Sequence, residues 1–256
     1  MVFRRIIFNA VFIGLAAGLL LSLIQVIGVS PIIFEAETFE VVEEAPAAAA
    51  HDHHGVEESS GHHHDAEAWA PEDGAERTLY TVASNVLAGI GFASVVLALM
   101  SQLQLQGITQ VNVQKGLLWG LAGFAVFFVA PGIGLPPEIP GTEAAVIENR
   151  QLWWLFAVVC AAIGLAVMAF APIKLKILGA LSIALPYIVG APHVDGPEFA
   201  HPDPAAVASL TELHFQFIMA SGIANLIFWI VLGIACAWAL NLWVHKDIDA
   251  HVSSAA

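Results

Sequence analysis

Positive charge is scarce in this chain of 256 residues: eight Lys and Arg stand against 22 Asp and Glu, for a formal net charge of −14. That balance argues against a nucleic-acid ligand and against a basic patch that docks on anionic lipid. Cysteine is scarcer still. Cys160 and Cys236 both lie in apolar runs and no Cys-x-x-Cys occurs, so neither a disulfide nor a thiol redox motif is expected. Charged residues of both signs make up 12% of the chain, where a soluble domain carries about 25%. With 58% hydrophobic residues and a mean hydropathy of +0.78, the chain reads as a membrane protein. No Asp, Glu, Lys, Arg or His sits firmly inside an apolar run. Intramembrane charge costs about 2.5–3.5 kcal/mol on insertion scales and usually marks a proton relay. Its absence argues against a self-contained proton-driven pump. A route lined by Asn9, Asn85, Asn225 and backbone carbonyls stays open.

Other absences narrow the function. No Gly-x-x-x-x-Gly-Lys-Ser/Thr is present, so the chain supplies no P-loop ATPase. No His-Glu-x-x-His, no Gly-x-Ser-x-Gly and no intramembrane carboxylate pair points to an enzyme. No permanently bound cofactor is implied.

What the chain does hold is histidine, concentrated in one place. Six of its eleven histidines (His51, His53, His54, His62, His63 and His64) fall within residues 51–65, among Asp52, Glu57, Glu58 and Asp65. Neutral imidazole is the commonest side-chain ligand for borderline divalent metals, and carboxylates add charge and further ligands. The tract has Gly and Ser and no large aromatic, so it cannot bury enough apolar surface to fold alone. It reads as a disordered, metal-attracting tether between two membrane spans; the alternative is a solvated acidic linker that happens to be rich in histidine.

Six apolar stretches organise the rest into an all-α polytopic membrane protein. Residues 1–29 form a first span, after Arg4-Arg5, and 30–78 the His- and acid-rich extracytoplasmic loop. Residues 79–245 hold five further spans, and 246–256 form a cytoplasmic tail. Gly14 and Gly18, Gly89 and Gly91, and Gly116 and Gly120 set small residues where helices pack closely. Pro136, Pro137 and Pro140 force extended backbone around Glu138. Residues 142–149 suit a short interfacial helix, and Trp153-Trp154 suit the membrane interface. The fifth stretch, 177–191, is short and interrupted by Pro186, so five spans with a re-entrant segment are the competing topology. Ser209-Leu210-Thr211-Glu212 has capping-box spacing before the last span.

Six spans place both termini on one side with Lys115, Lys174, Lys176 and Lys246; the other side holds only Arg77 and Arg150. Excess Lys and Arg marks the cytoplasmic side. The tether and the loops around Glu138 and His193 then face outward, from a bacterial or archaeal inner membrane. There Glu138, His193, His201, Glu212 and His214 are candidate metal ligands, a mixed set suited to Co²⁺, Ni²⁺ or Zn²⁺. Each also has a plain structural reading: Glu212 in the capping box, His214 at the interface, the others as solvated loop groups. Arg150 is a candidate partner for Glu138 or Glu148.

Several stretches resemble the CbtA family of cobalt transporter subunits. They are Phe3-Arg4-Arg5, the His-rich first loop, Glu76-Arg77-Thr78-Leu79-Tyr80-Thr81, Gly134-Leu135-Pro136-Pro137-Glu138-Ile139-Pro140-Gly141 and Arg150-Gln151-Leu152-Trp153-Trp154. The resemblance covers nearly the whole chain outside the tether. It implies cobalt uptake linked to cobalamin synthesis, with a small single-span, His-bearing partner, CbtB; it supplies no ligand set, and the family is described with about five spans. Self-association and contact with membrane lipid are further expected interactions. Two functions compete: a metal-uptake subunit, with Co²⁺ loosely held or carried as substrate, and a membrane-anchored sensor or scaffold in which the spans only anchor the tether.

Overall fold

A computed structural model describes residues 2–40, 71–72 and 74–244. The tether histidines lie outside the described residues. What is described is helical, with one isolated antiparallel bridge between Thr142 and Phe199. The helices are α1 (Val2–Gly28), α2 (Ser30–Glu37), α3 (Ala75–Leu105), α4 (Val113–Phe124), α5 (Ala130–Gly134), α6 (Ile147–Phe170), α7 (Lys176–Val189) and α8 (Pro204–Ala239). A π-helical turn, Ala125–Val129, joins α4 to α5. Pro131 explains it: the ring nitrogen has no hydrogen for the carbonyl of Phe127, so the ladder shifts by one residue instead of breaking.

Three antiparallel helix pairs make the bundle, and small residues close each one. Between α1 and α3, a Cβ added to Gly14 would lie 2.3 Å from Ile90 Cα, and one added to Gly89 would lie 2.5 Å from Gly14 O. Between α4 and α8, a Cβ on Gly120 would lie 2.4 Å from Trp229 O, and Gly233 meets Gly116 as closely. Between α6 and α7, Gly164 faces Gly179. In lipid there is no hydrophobic drive between apolar helices, so close backbone approach and dispersion hold them. Phe92, Phe127 and Trp229 fill the centre, Phe127 stacking on Trp229 at 5.3 Å between ring centroids.

Among the described residues, five segments are long and apolar enough to cross a membrane: Arg4–Gly28, Ala75–Leu105, Val113–Gly134, Ile147–Phe170 and Pro204–Leu242. The remaining expected span, the fifth in chain order, is α7; it has 14 residues, which is about 21 Å of helix against a hydrocarbon core of about 30 Å. Pro186 does not interrupt α7 as expected; the helix runs through it to Val189. α7 lies along α6: Ser182 Oγ donates to Cys160 O at 2.9 Å, and Trp153 Nε1 donates to Pro186 O at 3.3 Å. Tyr187 Oη donates to Ala130 O at 2.7 Å and ties this pair to the rest.

The ends of α1, α5 and α7 and the start of α8 share one end of the bundle. There the segments 135–146 and 190–203 cross over α8 and form a cap with α2. Ala36, Ile139, Phe199, Leu210 and Leu213 are its buried apolar centre. Three expectations are corrected here. Residues 30–37 are helix α2, not tether; Ser30-Pro31 starts it and Ile32 and Ile33 pack it inward. Residues 142–146 are not helical, because Thr142 pairs with Phe199 and the Glu143 N–H donates to Glu198 O at 2.9 Å. The Ser209–Glu212 spacing is not a helix start. Asp203 caps α8 instead, Oδ1 accepting from the Ala205 N–H at 2.9 Å with Pro204 in the first turn.

Candidate functional site

The cap end collects the described polar chemistry, and its centre is His214. The first turns of α8 carry the ring under the two crossing segments, where it is 6% exposed. Phe199 meets it edge to face at 6.0 Å. Its Nε2 lies 2.9 Å from Pro137 O, and Nδ1 contacts a carboxylate oxygen of Glu198. A carbonyl only accepts, so Nε2 carries a hydrogen. Nδ1 is covered by the Glu198 carboxylate. His214 thus joins segment 135–146 to segment 190–203, and in this conformation neither ring nitrogen presents a lone pair to a metal.

Glu138 is engaged as well. Its carboxylate pairs with Arg150 at the start of α6, each side chain about one quarter exposed (24% and 28%). This is one of the two partners expected for Arg150. The Arg150 Nε is buried without a hydrogen-bond partner among the described residues, beside an open pocket with Phe127, Phe128 and Trp154. His193 is exposed, with Nδ1 3.0 Å from Ala191 O, and faces a shallow groove with Trp153 and Asn149. In His201, Nδ1 accepts the Asp203 N–H at 3.0 Å. Glu212 accepts from Gln216 Nε2 at 3.0 Å on the exposed face of α8. Among the described residues no three His, Cys, Asp or Glu side chains converge as a metal-holding group. The candidate ligands share an end of the bundle, and Glu138 and His214 tie its cap together.

One feature at this end escaped sequence reasoning. Arg77 Nη2 meets Glu37 Oε1 at 2.5 Å, and the guanidinium lies 5.3 Å from the centroid of Phe34. This contact joins the end of α2 to the start of α3, so the chain leaves for the tether and returns from it at one place. Only the cation–π residue type gives a hint of it in sequence. A polar stripe lies beside it and makes the interhelical hydrogen bond that a polar Gln25 in an apolar span leads one to expect: Asn85 Nδ2 donates to Gln25 Oε1 at 2.6 Å and to Ser22 Oγ at 3.1 Å. Thr78, Thr81 and Asn85 recur at helical spacing on α3, a signal present in the sequence once Asn85 is read with its neighbours.

No curated protein and no solved structure matches the chain. A family model does, that of CbtA, described as a probable cobalt transporter subunit, over residues 3–241. The match includes the cap, the tether and every helix pair described above, and with five apolar helices long enough to cross a bilayer the protein is a multi-pass membrane protein. The chain belongs to the CbtA family.

Proposed function

We propose that this chain is the integral-membrane subunit that takes up a divalent transition-metal ion, Co²⁺ foremost, with the cap and tether facing outward and both termini cytoplasmic. Residues 30–78 form the extracytoplasmic part, and α7 together with its flanking extended segments completes a sixth crossing beside α6. His51, His53, His54, His62, His63 and His64 capture the ion, and the exposed His193 and Glu212 and the half-buried His201 extend the capturing surface. Glu138 and His214 hold the cap through Arg150 and Glu198. The observation that carries the reading is the Arg77–Glu37 contact, which fixes both ends of the His- and acid-rich tract at the end of the bundle that bears the other candidate ligands. A tethered ligand raises the local ion concentration at its anchor, and net negative charge adds to it at low ionic strength. A small His-bearing second subunit fits the description of the family as a transporter subunit, and Ni²⁺ or Zn²⁺ would satisfy the same donors.

The test is accumulation of radioactive Co²⁺ in cells that express the chain with its partner. Deleting 51–64 should raise the Co²⁺ concentration needed for half-maximal uptake and leave the maximal rate. No accumulation above that of cells lacking the chain would leave the sensor or scaffold reading in its place.

A further inference from the structure

A pocket of about 430 Å³ lies at the cap end, between the Ala125–Val129 turn with α5 on one side and the start of α6 on the other. That volume falls in the range of small-ligand sites, about 300–1,000 Å³. Four of its lining residues, Ile147, Arg150, Gln151 and Trp154, are spaced i, i+3, i+4, i+7 and so share one face of α6. Phe127 and Phe128 form the facing wall, with the Phe127 ring 6.4 Å from that of Trp154. Apart from α7, α6 meets the rest of the bundle mainly along the Ala125–Gly134 segment. The pocket therefore sits at the joint between the α6–α7 pair and the other helices. Ile133, Ile147 and Leu155 on the same elements are exposed, as side chains that face lipid are.

The lining changes character within one turn of α6. Arg150 and Gln151 are polar, while Trp154, Phe127 and Phe128 are aromatic. This is the gradient a bilayer itself has at its interface, where tryptophan marks the boundary between headgroups and hydrocarbon. Arg150 is the only ionisable residue of the lining. Its Nη2 donates to Glu138, and its Nε has no hydrogen-bond partner among the described residues. A guanidinium carries five donors in a fixed fork, so Glu138 leaves most of them unspent. The fork matches the oxygens of a phosphate. The Gln151 side chain is exposed beside it and adds an amide donor. Donors above and aromatic walls below suit an amphiphile with an anionic oxygen head and an apolar body. The bilayer presents phosphodiesters at this depth. Because Glu138 balances the Arg150 charge and the chain carries a net charge of −14, a headgroup with no net charge fits best.

The geometry points to a site for one zwitterionic phospholipid of the leaflet at the cap end, its phosphodiester on Arg150 and Gln151 and the start of an acyl chain against Phe127, Phe128 and Trp154. The lipid bridges the Ala125–Gly134 segment to α6 and completes the joint that holds the α6–α7 pair. The site does not depend on which metal the protein carries.

The test is native mass spectrometry of the full chain, purified in detergent, stripped of lipid and titrated with dioleoylphosphatidylethanolamine. Dioleoylglycerol, which has the same chains and no phosphate, is titrated alongside, and glycerol 3-phosphate is added as a competitor. One phospholipid should bind about tenfold more tightly than dioleoylglycerol, and glycerol 3-phosphate should not displace it. Two double variants probe the site. Glu138→Gln with Arg150→Gln removes both charges together and lets the amides pair. Gln151→Leu with Trp154→Ala leaves the Arg150–Glu138 contact in place, so it decides the matter if the first variant does not fold. Each should raise the Kd for the phospholipid about tenfold, whereas Leu178→Ala, at an exposed position on α7, should leave it within about twofold. Unchanged affinity in a folded site variant, or an equal loss in Leu178→Ala, would show lipid bound only as general solvent of the bundle and overturn the site. Dioleoylglycerol binding as tightly would remove the phosphate from the recognition. Displacement by glycerol 3-phosphate would assign the pocket to a soluble phosphate ester instead of a lipid.

Discussion

The ring of His214 is held against the carboxylate of Glu198. Pro137 O fixes a hydrogen on Nε2, and Nδ1 faces Glu198. The contact spans two segments far apart in sequence and closes the cap over the start of α8.

Glu198→Gln should therefore preserve the cap. A glutamine amide donates to Nδ1 of a neutral ring, while Nε2–H still reaches Pro137 O. His214→Ala removes both contacts and the Phe199 packing, and leaves the half-buried Pro137 carbonyl without its partner, at a cost of about 1 kcal/mol. Thermal unfolding of the detergent-solubilised protein should show a clear loss of Tm for His214→Ala and little change for Glu198→Gln. Equal losses in the two variants would mean that the cap needs the Glu198 carboxylate itself and not only a hydrogen-bond partner for Nδ1.

Arg150 and Glu138 form the second tie, and both side chains are mostly buried. Removing one partner leaves a partly buried charge without its counterion, at about 3 kcal/mol. Glu138→Gln should lower Tm. The exchange Glu138→Arg with Arg150→Glu should recover part of that loss, because the attraction survives reversal. A double variant no better than the sum of its single changes would show that the pair does not stabilise the cap.

The glycine seam between α1 and α3 distinguishes neighbouring positions. Gly89→Ala puts a methyl 2.5 Å from Gly14 O, whereas a Cβ at Gly91 meets nothing within 4 Å. Overpacking of this kind costs about 1–3 kcal/mol. Gly89→Ala should reduce Tm and the yield of monodisperse protein, and Gly91→Ala should not. An unaffected Gly89→Ala protein would mean that the two helices can separate without loss.

These sites show which parts of the fold sequence makes visible. Helix existence and membrane class follow from long apolar runs, and the Gly14–Gly18 spacing announces close packing because only small residues let backbones touch. The Arg150–Glu138 pair was within reach because Arg150 is the only base near those acids. The caps were harder. Ser209 and Glu212 have the spacing of a helix start, yet Asp203-Pro204 is the real one, and a capping signature says nothing about whether the helix has already begun. Helix α2 was hidden by its acids, which match the tether's composition while Ile32, Ile33 and Ala36 bury its other face. His214–Glu198 was out of reach because it depends on how two loops cross, which no local pattern encodes.

Metal capture should follow the protonation of imidazole. An imidazole ligand must be neutral, so fewer of the tether histidines can bind as pH falls through about 6.5. Co²⁺ uptake at low ion concentration should decline across that range in the intact protein. In the protein lacking 51–64 it should start lower and change less. A deletion variant that keeps the full pH response would assign the titrating groups to another part of the molecule.

Sidedness supports all of these expectations and has its own measurement. With Cys160 and Cys236 replaced by Ala, a Gly55→Cys change puts one thiol in the His-rich tract. A membrane-impermeant maleimide added to intact cells should label it fully. Labelling only after the cells are opened would place the tract in the cytosol and contradict uptake through an outward-facing cap.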